Sequence, residues 1–237
     1  MKRVAAWLFR ARSYGVVRVA RQHGLFGIKA FALLIGLVAA AHGGRVAAAS
    51  DRTVRLVALG DSLTAGFGLP QNAAFPAVLE RALKARGHQV EIVNAGVSGD
   101  TASGGLERLD WSVPDGTDAV ILELGANDML RGVDPAVTKQ ALDSIVTRLK
   151  ARGIRVMLAG MYASHNLGPG YVQRFDAIYR DIASQHGLVF YPFFLDGVAG
   201  QRQLNLPDGL HPTARGVEMI VERMLPSVES FLKQLSQ

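Results

Sequence analysis

Four short clusters hold the side chains of this chain that could do covalent chemistry. They are Gly60-Asp61-Ser62-Leu63-Thr64-Ala65-Gly66, Asn94-Ala95-Gly96-Val97-Ser98-Gly99-Asp100, Gly125-Ala126-Asn127-Asp128 and Asp208-Gly209-Leu210-His211-Pro212. Together they suit acyl transfer. Ser62 is the candidate nucleophile on a tight strand-to-helix turn, and His211 is the base that would take its proton. Asp208 stands three residues before His211, close enough on a turn to accept from the other imidazole nitrogen and fix the tautomer. An oxyanion needs donors arranged in advance, and the N–H groups of Ser62 and Gly99 with the side-chain amide of Asn127 supply three.

Each cluster taken alone has a plainer reading. A serine after a strand commonly caps a helix, Asn127-Asp128 suits a simple turn, and an Asp-x-x-His pair also occurs in metal sites. No other cluster in the chain has metal-ligand spacing, so no metal is expected. Gly66-Phe67-Gly68 begins like a phosphate loop, but Gln71 replaces the third glycine and no Gly-Lys-Ser/Thr follows, which weighs against a nucleotide-binding, non-catalytic module. Among the histidines, His88 and His186 flank helix-ending glycines and read as caps. His165 falls in the loop from Met161 to Tyr171, at the expected mouth of the site. Phe67, Leu69, Leu106, Trp111, Tyr162 and Leu167 are the apolar candidates for an acyl or aryl groove.

The elements that must position these clusters alternate in type. Short apolar runs at Val54–Gly60, Gln89–Asn94, Ala119–Gly125, Ile154–Gly160 and Leu188–Tyr191 read as buried strands. Amphipathic stretches at Phe75–Arg86, Ala102–Leu109, Pro135–Arg152, Tyr171–His186 and Pro212–Leu235 read as helices, the last with Pro226 as a candidate interruption. Three helix exits repeat one junction, Arg86-Gly87, Arg152-Gly153 and His186-Gly187: a basic residue at the negative end of the helix dipole, then a glycine for a left-handed cap. Repeated helix-to-strand junctions predict a parallel sheet covered by helices on both faces as one α/β domain. Sites in such sheets lie beyond the carboxyl ends of the strands, where three of the four clusters fall.

With all four clusters in order, the chain resembles the SGNH (GDSL) hydrolases, in the branch of bacterial thioesterases, lysophospholipases and arylesterases. The serine block is GDSLTAG, the glycine block is Gly99 in VSGDT, the asparagine block is Asn127 in LGAND, and the last is DGLHP with Asp208 and His211. The likeness extends from Arg55 to Leu232, and its one departure is Ala126 where glycine is frequent. It implies a flavodoxin-like three-layer α/β/α sandwich with a five-stranded parallel sheet in the order 2-1-3-4-5. It also implies cofactor- and metal-independent hydrolysis of short- and medium-chain esters, thioesters and lysophospholipids.

Composition agrees with an enzyme body behind a targeting leader. The chain has 237 residues, 49% apolar and 19% charged, and its lack of cysteine removes thiol nucleophiles, disulfides and cysteine-ligated metals. The net charge of +6 is misleading, because residues 1–50 hold eight Lys or Arg and no acid, leaving 18 basic against 20 acidic residues in the rest. A mildly acidic body argues against a nucleic-acid partner. The apolar run Ala30–Ala41 is shorter than the ~20 residues of a membrane span and suits a signal-peptide core, with Ala47-Ala48-Ala49 as the cleavage region. The expectation is therefore a leader over 1–49, a hydrolase domain over 50–237, and a periplasmic or secreted monomer acting on small-molecule esters. The alternative is an uncleaved leader that tethers a lysophospholipase to the membrane.

Overall fold

The computed structural model describes residues 52–235; the leader, its cleavage region near Ala49 and the uncleaved-anchor alternative lie outside them. Five parallel strands, β1 (Val54–Gly60), β2 (Val90–Gly96), β3 (Ala119–Glu123), β4 (Arg155–Ala159) and β5 (Val189–Tyr191), form one sheet in the order β2-β1-β3-β4-β5. The central strands β1 and β3 are apolar at nearly every position because both of their faces are covered. β2, at one edge, buries little beyond Val90.

Right-handed crossovers then assign the helices to layers. The step from β1 to β2 runs one way across the sheet and every later step runs the other. Helix α2 (Phe75–Ala85), on the first crossover, thus faces away from α3 (Ala102–Glu107), α6 (Pro135–Ala151) and α7 (Pro169–His186), which follow β2, β3 and β4. The last helix, α8 (Ala214–Leu235), returns to pack on α2, while α6 packs between α3 and α7. The three-layer sandwich expected from the sequence is the fold observed. Gly87, Gly153 and Gly187 take φ of 86°, 75° and 64°, so the repeated junction is the left-handed exit that only glycine enters without strain.

Three departures are local. The stretch read as one helix over Ala102–Leu109 breaks at Arg108 into α3 and α4 (Leu109–Ser112), because the Arg108 side chain turns into the domain. The serine block makes the expected strand-to-helix turn by opening the short helix α1 (Ser62–Ala65), whereas the asparagine block opens a short helix, α5 (Ala126–Leu130), rather than a simple turn. Helix α8 runs through Pro226, whose ring sits on the exposed side while Leu225 and Val228 stay buried.

Strand register sets up everything that follows. Gly60 pairs with Gly96 and with Glu123, Glu123 with Ala159, and Ala159 with Tyr191, so these five residues form one row at the carboxyl edge. Ser62, Gly99 and Asn127 stand two to four residues beyond that row. They converge where the chain reverses direction across the sheet, between β1 and its neighbours.

Candidate active site

The turn that carries Ser62, the candidate nucleophile, is built by Asp61. It caps α1 by accepting the Leu63 N–H at 2.9 Å on Oδ1, which makes Ser62 the first helical residue, only 8% exposed. From the far end of the chain, the loop between the turn Arg202–Leu204 and α8 brings Asp208 and His211. That loop is pinned by the Leu206 N–H to the His211 carbonyl at 2.7 Å. The Ser62 hydroxyl donates to His211 Nε2 at 2.9 Å, and His211 Nδ1 donates to Asp208 Oδ2 at 2.7 Å. The backbone N–H groups of His211 and Leu210 both donate to Asp208 Oδ1, and with the imidazole they hold its carboxyl down at about 2. Asp208 is therefore a carboxylate throughout the working range, and its bond to Nδ1 leaves Nε2 as the lone-pair nitrogen facing the serine. The Phe67 ring leans on His211, with centroids 4.4 Å apart and planes tilted by 35°.

The donors differ in availability. Among the described residues no hydrogen bond takes the N–H of Ser62 or of Gly99, and Gly99 has φ of 87°, open to glycine. Asn127 is already committed: its Nδ2 donates at 3.0 Å to Asp61 Oδ2 and at 3.0 Å to the Asp100 carbonyl. An amide nitrogen has two hydrogens, so a developing oxyanion must share or draw one away from these acceptors.

Beneath the serine lie two buried acids. Burial drives Asp61 up to about 6, against the opposing pull of the Leu63 N–H and the Asn127 amide. Glu123, fully enclosed, is pushed well above the usual carboxyl range by burial and by Asp61; it accepts the Thr64 hydroxyl at 2.7 Å on Oε2. Its Oε1 has no partner among the described residues.

Arginines tie the loops together. The buried Arg108 guanidinium donates to the carbonyls of Gly60 at 2.8 Å and Ala95 at 2.9 Å, to Ser112, and to the Asp100 carboxylate. It thereby joins the ends of β1 and β2 to the glycine block. Arg131, after α5, donates to the Gly99 carbonyl at 2.7 Å. Asp128 accepts the Ala102 N–H and the Thr138 hydroxyl, which fixes the asparagine block to α3 and α6.

An apolar cleft of about 330 Å³ opens beside Ser62 and His211. Its walls include Leu63, Met129, Met161, Tyr162, Phe193 and Leu195. Of the six apolar residues expected to form a groove, Tyr162 lines the cleft and Phe67 lies against the histidine. The other four do not reach it. Leu69 and Leu106 turn inward and pack against the core, Trp111 on α4 is 73% exposed, and Leu167 is half-buried in the turn His165–Leu167 outside the lining. His165, in the same turn, is exposed and also outside it. His88 and His186 are not caps through their rings: they pair with Glu229 at 3.1 Å and Asp143 at 2.7 Å. Among the described residues no group of three or more His, Asp or Glu could hold a metal ion.

Asp61, Glu123, Arg108 and Arg131 escaped the sequence reading. Asp61 had a signal, being a cap residue directly before the nucleophile. The arginines had none, because their bonds to main-chain carbonyls reach from 13 to 48 residues along the chain.

Comparison with known proteins is consistent across three kinds of likeness. Residues 58–219 match the model of the GDSL-like Lipase/Acylhydrolase family. The chain is 36% identical over 178 residues to Esterase TesA of Pseudomonas aeruginosa, covering 75% of this chain and 89% of that one. It is 35% identical over 184 residues to Thioesterase 1/protease 1/lysophospholipase L1 of Escherichia coli K12, covering 77% and 86%. The crystal structure of AlinE4, an SGNH-hydrolase family esterase, superposes with a TM-score of 0.64 at 43% identity, covering 76% of this chain and 97% of that one.

Proposed function

This chain belongs to the GDSL-like lipase/acylhydrolase family and is a serine ester hydrolase, and from that premise we propose that it cleaves carboxylic esters and thioesters through an acyl-enzyme on Ser62. The observation that carries the assignment is the hydrogen-bonded line from Ser62 Oγ to His211 to Asp208, at 2.9 and 2.7 Å. Ser62 Oγ attacks the acyl carbon as its proton passes to His211 Nε2, and the Asp208 carboxylate steadies the imidazolium that forms. Negative charge gathers on the carbonyl oxygen and is met by the N–H groups of Ser62 and Gly99, with the Asn127 amide as third donor. His211 then returns the proton to the departing alcohol or thiol. Water deacylates the serine by the same path in reverse.

The cleft supports an apolar acyl group, since its walls carry Met, Leu, Phe and Tyr and, among the described residues, no Asp, Glu, Lys or Arg lines it. The relatives named esterase and thioesterase/lysophospholipase support broad tolerance of the leaving group. The reading extends to a monomer that needs no cofactor. It is tested by a fluorophosphonate, which phosphonylates only an activated serine. Mass spectrometry is expected to find the label on Ser62, and Ser62→Ala is expected to lose it together with ~10³- to 10⁶-fold in kcat at an unchanged melting temperature. Ester hydrolysis within tenfold of wild type in folded Ser62→Ala would sink the assignment.

The asymmetric leader supports export, with eight basic and no acidic residues over 1–50 ahead of an apolar run too short to span. Among the described residues no helix is long and apolar enough to cross a membrane. N-terminal sequencing of the native, fractionated protein is expected to begin near Ser50. A membrane-bound species beginning at Met1 would make the leader an anchor instead.

A further inference from the structure

We propose that Arg131 is a positioning residue for the oxyanion hole: its guanidinium ties the Gly99 carbonyl to the asparagine loop and so holds the turn that carries the Gly99 N–H at a fixed place beside Asn127. The proposal rests on the reading above that this N–H meets the oxyanion.

Gly99 has neither a side chain nor close packing to hold it. A Cβ built at Gly99 would meet only one atom within 4 Å, the Arg131 guanidinium itself at 3.6 Å. Its neighbour Asp100 is restrained from three sides, by its N–H to the Val97 carbonyl, its carbonyl to Asn127 and its carboxylate to Arg108. At Gly99 the only hydrogen bond among the described residues is the one from Arg131, at 2.7 Å. The Asp100 N–H bond to the Val97 carbonyl closes a turn around Ser98 and Gly99, but among the described residues the Ser98–Gly99 peptide inside it has no bond of its own, whereas an oxyanion hole works because its donors need no reorganisation when charge appears. The charge-assisted bond from Arg131 to the Gly99 carbonyl braces that turn against the asparagine loop.

The origin of the arginine matters as well. Arg131 follows α5, one turn beyond Asn127, whose carbonyl accepts the Arg131 N–H at 3.1 Å. The glycine donor and the asparagine donor belong to different loops, and Arg131 locks one to the other. The side chain is exposed and makes no ion pair among the described residues, so its bond to Gly99 is not the by-product of a structural salt bridge.

The test uses the purified enzyme with a short, uncharged aryl ester. Arg131→Ala is expected to lower kcat about tenfold, less than the ~10²- to 10³-fold for deleting a donor outright, with KM within twofold and the melting temperature and pH profile unchanged. Guanidinium chloride at low, non-denaturing concentration restores part of the lost kcat in the variant and none in wild type. Arg131→Lys, which keeps a donor, retains most of the activity. Phosphonylation of Ser62 slows in parallel in Arg131→Ala, because the phosphonyl oxygen occupies the same hole. An unchanged kcat overturns the proposal. So does a rise in KM confined to substrates with an anionic leaving group, which would make Arg131 a ground-state recognition residue. A wild-type enzyme that is not labelled at Ser62 defeats the underlying catalytic reading, whereas equal labelling rates in wild type and variant defeat only the role of Arg131.

Discussion

Asp61→Asn should abolish a loss of stability that the wild-type protein suffers as pH rises, while making the protein a poorer catalyst. Asp61 is fully buried, and its carboxyl is raised from 3.8 to about 6, first by burial. The raised value means that between these limits the folded protein binds more protons than the unfolded chain, so stability declines as pH rises through the window. At about 1.4 kcal/mol per pH unit the full penalty is about 3 kcal/mol above pH 8, of which roughly 1.4 kcal/mol accrues between pH 5 and pH 8. Asparagine cannot ionise and escapes it. It also relieves Glu123, which the Asp61 charge pushes upward, so both effects carry the same sign. The introduced amide does mispair, since its single carbonyl oxygen cannot accept both the Leu63 N–H and the Asn127 amide, which in the native protein bond to separate carboxylate oxygens of Asp61. That cost is independent of pH and cancels in the comparison. Thermal denaturation of both proteins at pH 5 and pH 8 is expected to shift the difference in melting temperature by ~3 to 6 °C in favour of the variant at pH 8. kcat for an uncharged ester falls about tenfold as the Asn127 amide loses its anchor. A difference in melting temperature that stays constant within about 1 °C, or moves the other way, would refute the reasoning.

Asn127→Ala is expected to cost ~10² to 10³ in kcat with KM nearly unchanged, because the amide bond to the oxyanion strengthens only as charge develops; a change in KM alone would make Asn127 a ground-state binder. The same substitution strips the buried Asp61 Oδ2 of its donor, so the melting temperature falls too, by the equivalent of ~1 to 3 kcal/mol. Asp208, held at about 2, stays ionised through mild acidification and keeps its bond to the His211 imidazole; chelators are expected to leave the rate intact. Inactivation by chelation with recovery on adding a divalent ion would contradict the proton-transfer scheme.

The convergence of the candidate site residues was legible in the sequence because of where a parallel sheet puts its strand ends. Ser62, Gly99 and Asn127 each follow an apolar run by a few residues, and the register aligns those runs at Gly60, Gly96 and Glu123. Short-range features, such as the Asp208–His211 spacing and the left-handed exits at Gly87, Gly153 and Gly187, were legible for the same reason, since both partners of each lie within one turn. What connects the clusters was not. Arg108 looks like an ordinary basic residue at the end of an amphipathic stretch, yet it is 5% exposed and spends its donors on β1 and β2. A guanidinium's destination depends on which strands flank it, and that is a property of the sheet order rather than of any local window.

The cleft walls show the same limit from the opposite side. Met161 and Tyr162 follow β4 by two and three residues, and Phe193 and Leu195 follow β5 by two and four, within the range of offsets of Ser62, Gly99 and Asn127 from their own strands. The sequence analysis singles out Tyr162, and the strand-end rule, applied to apolar residues as well as polar ones, would have selected Met161, Phe193 and Leu195 with it. Leu69, Leu106 and Trp111 attract notice only by size and by nearness in sequence to the serine and glycine blocks. Apolar side chains carry no marker that separates a wall from a core, and the sheet decides between them: residues just beyond its carboxyl row face the reacting serine. Leu69 and Leu106, farther along the crossovers, return to the packed interior, and Trp111 goes to the surface.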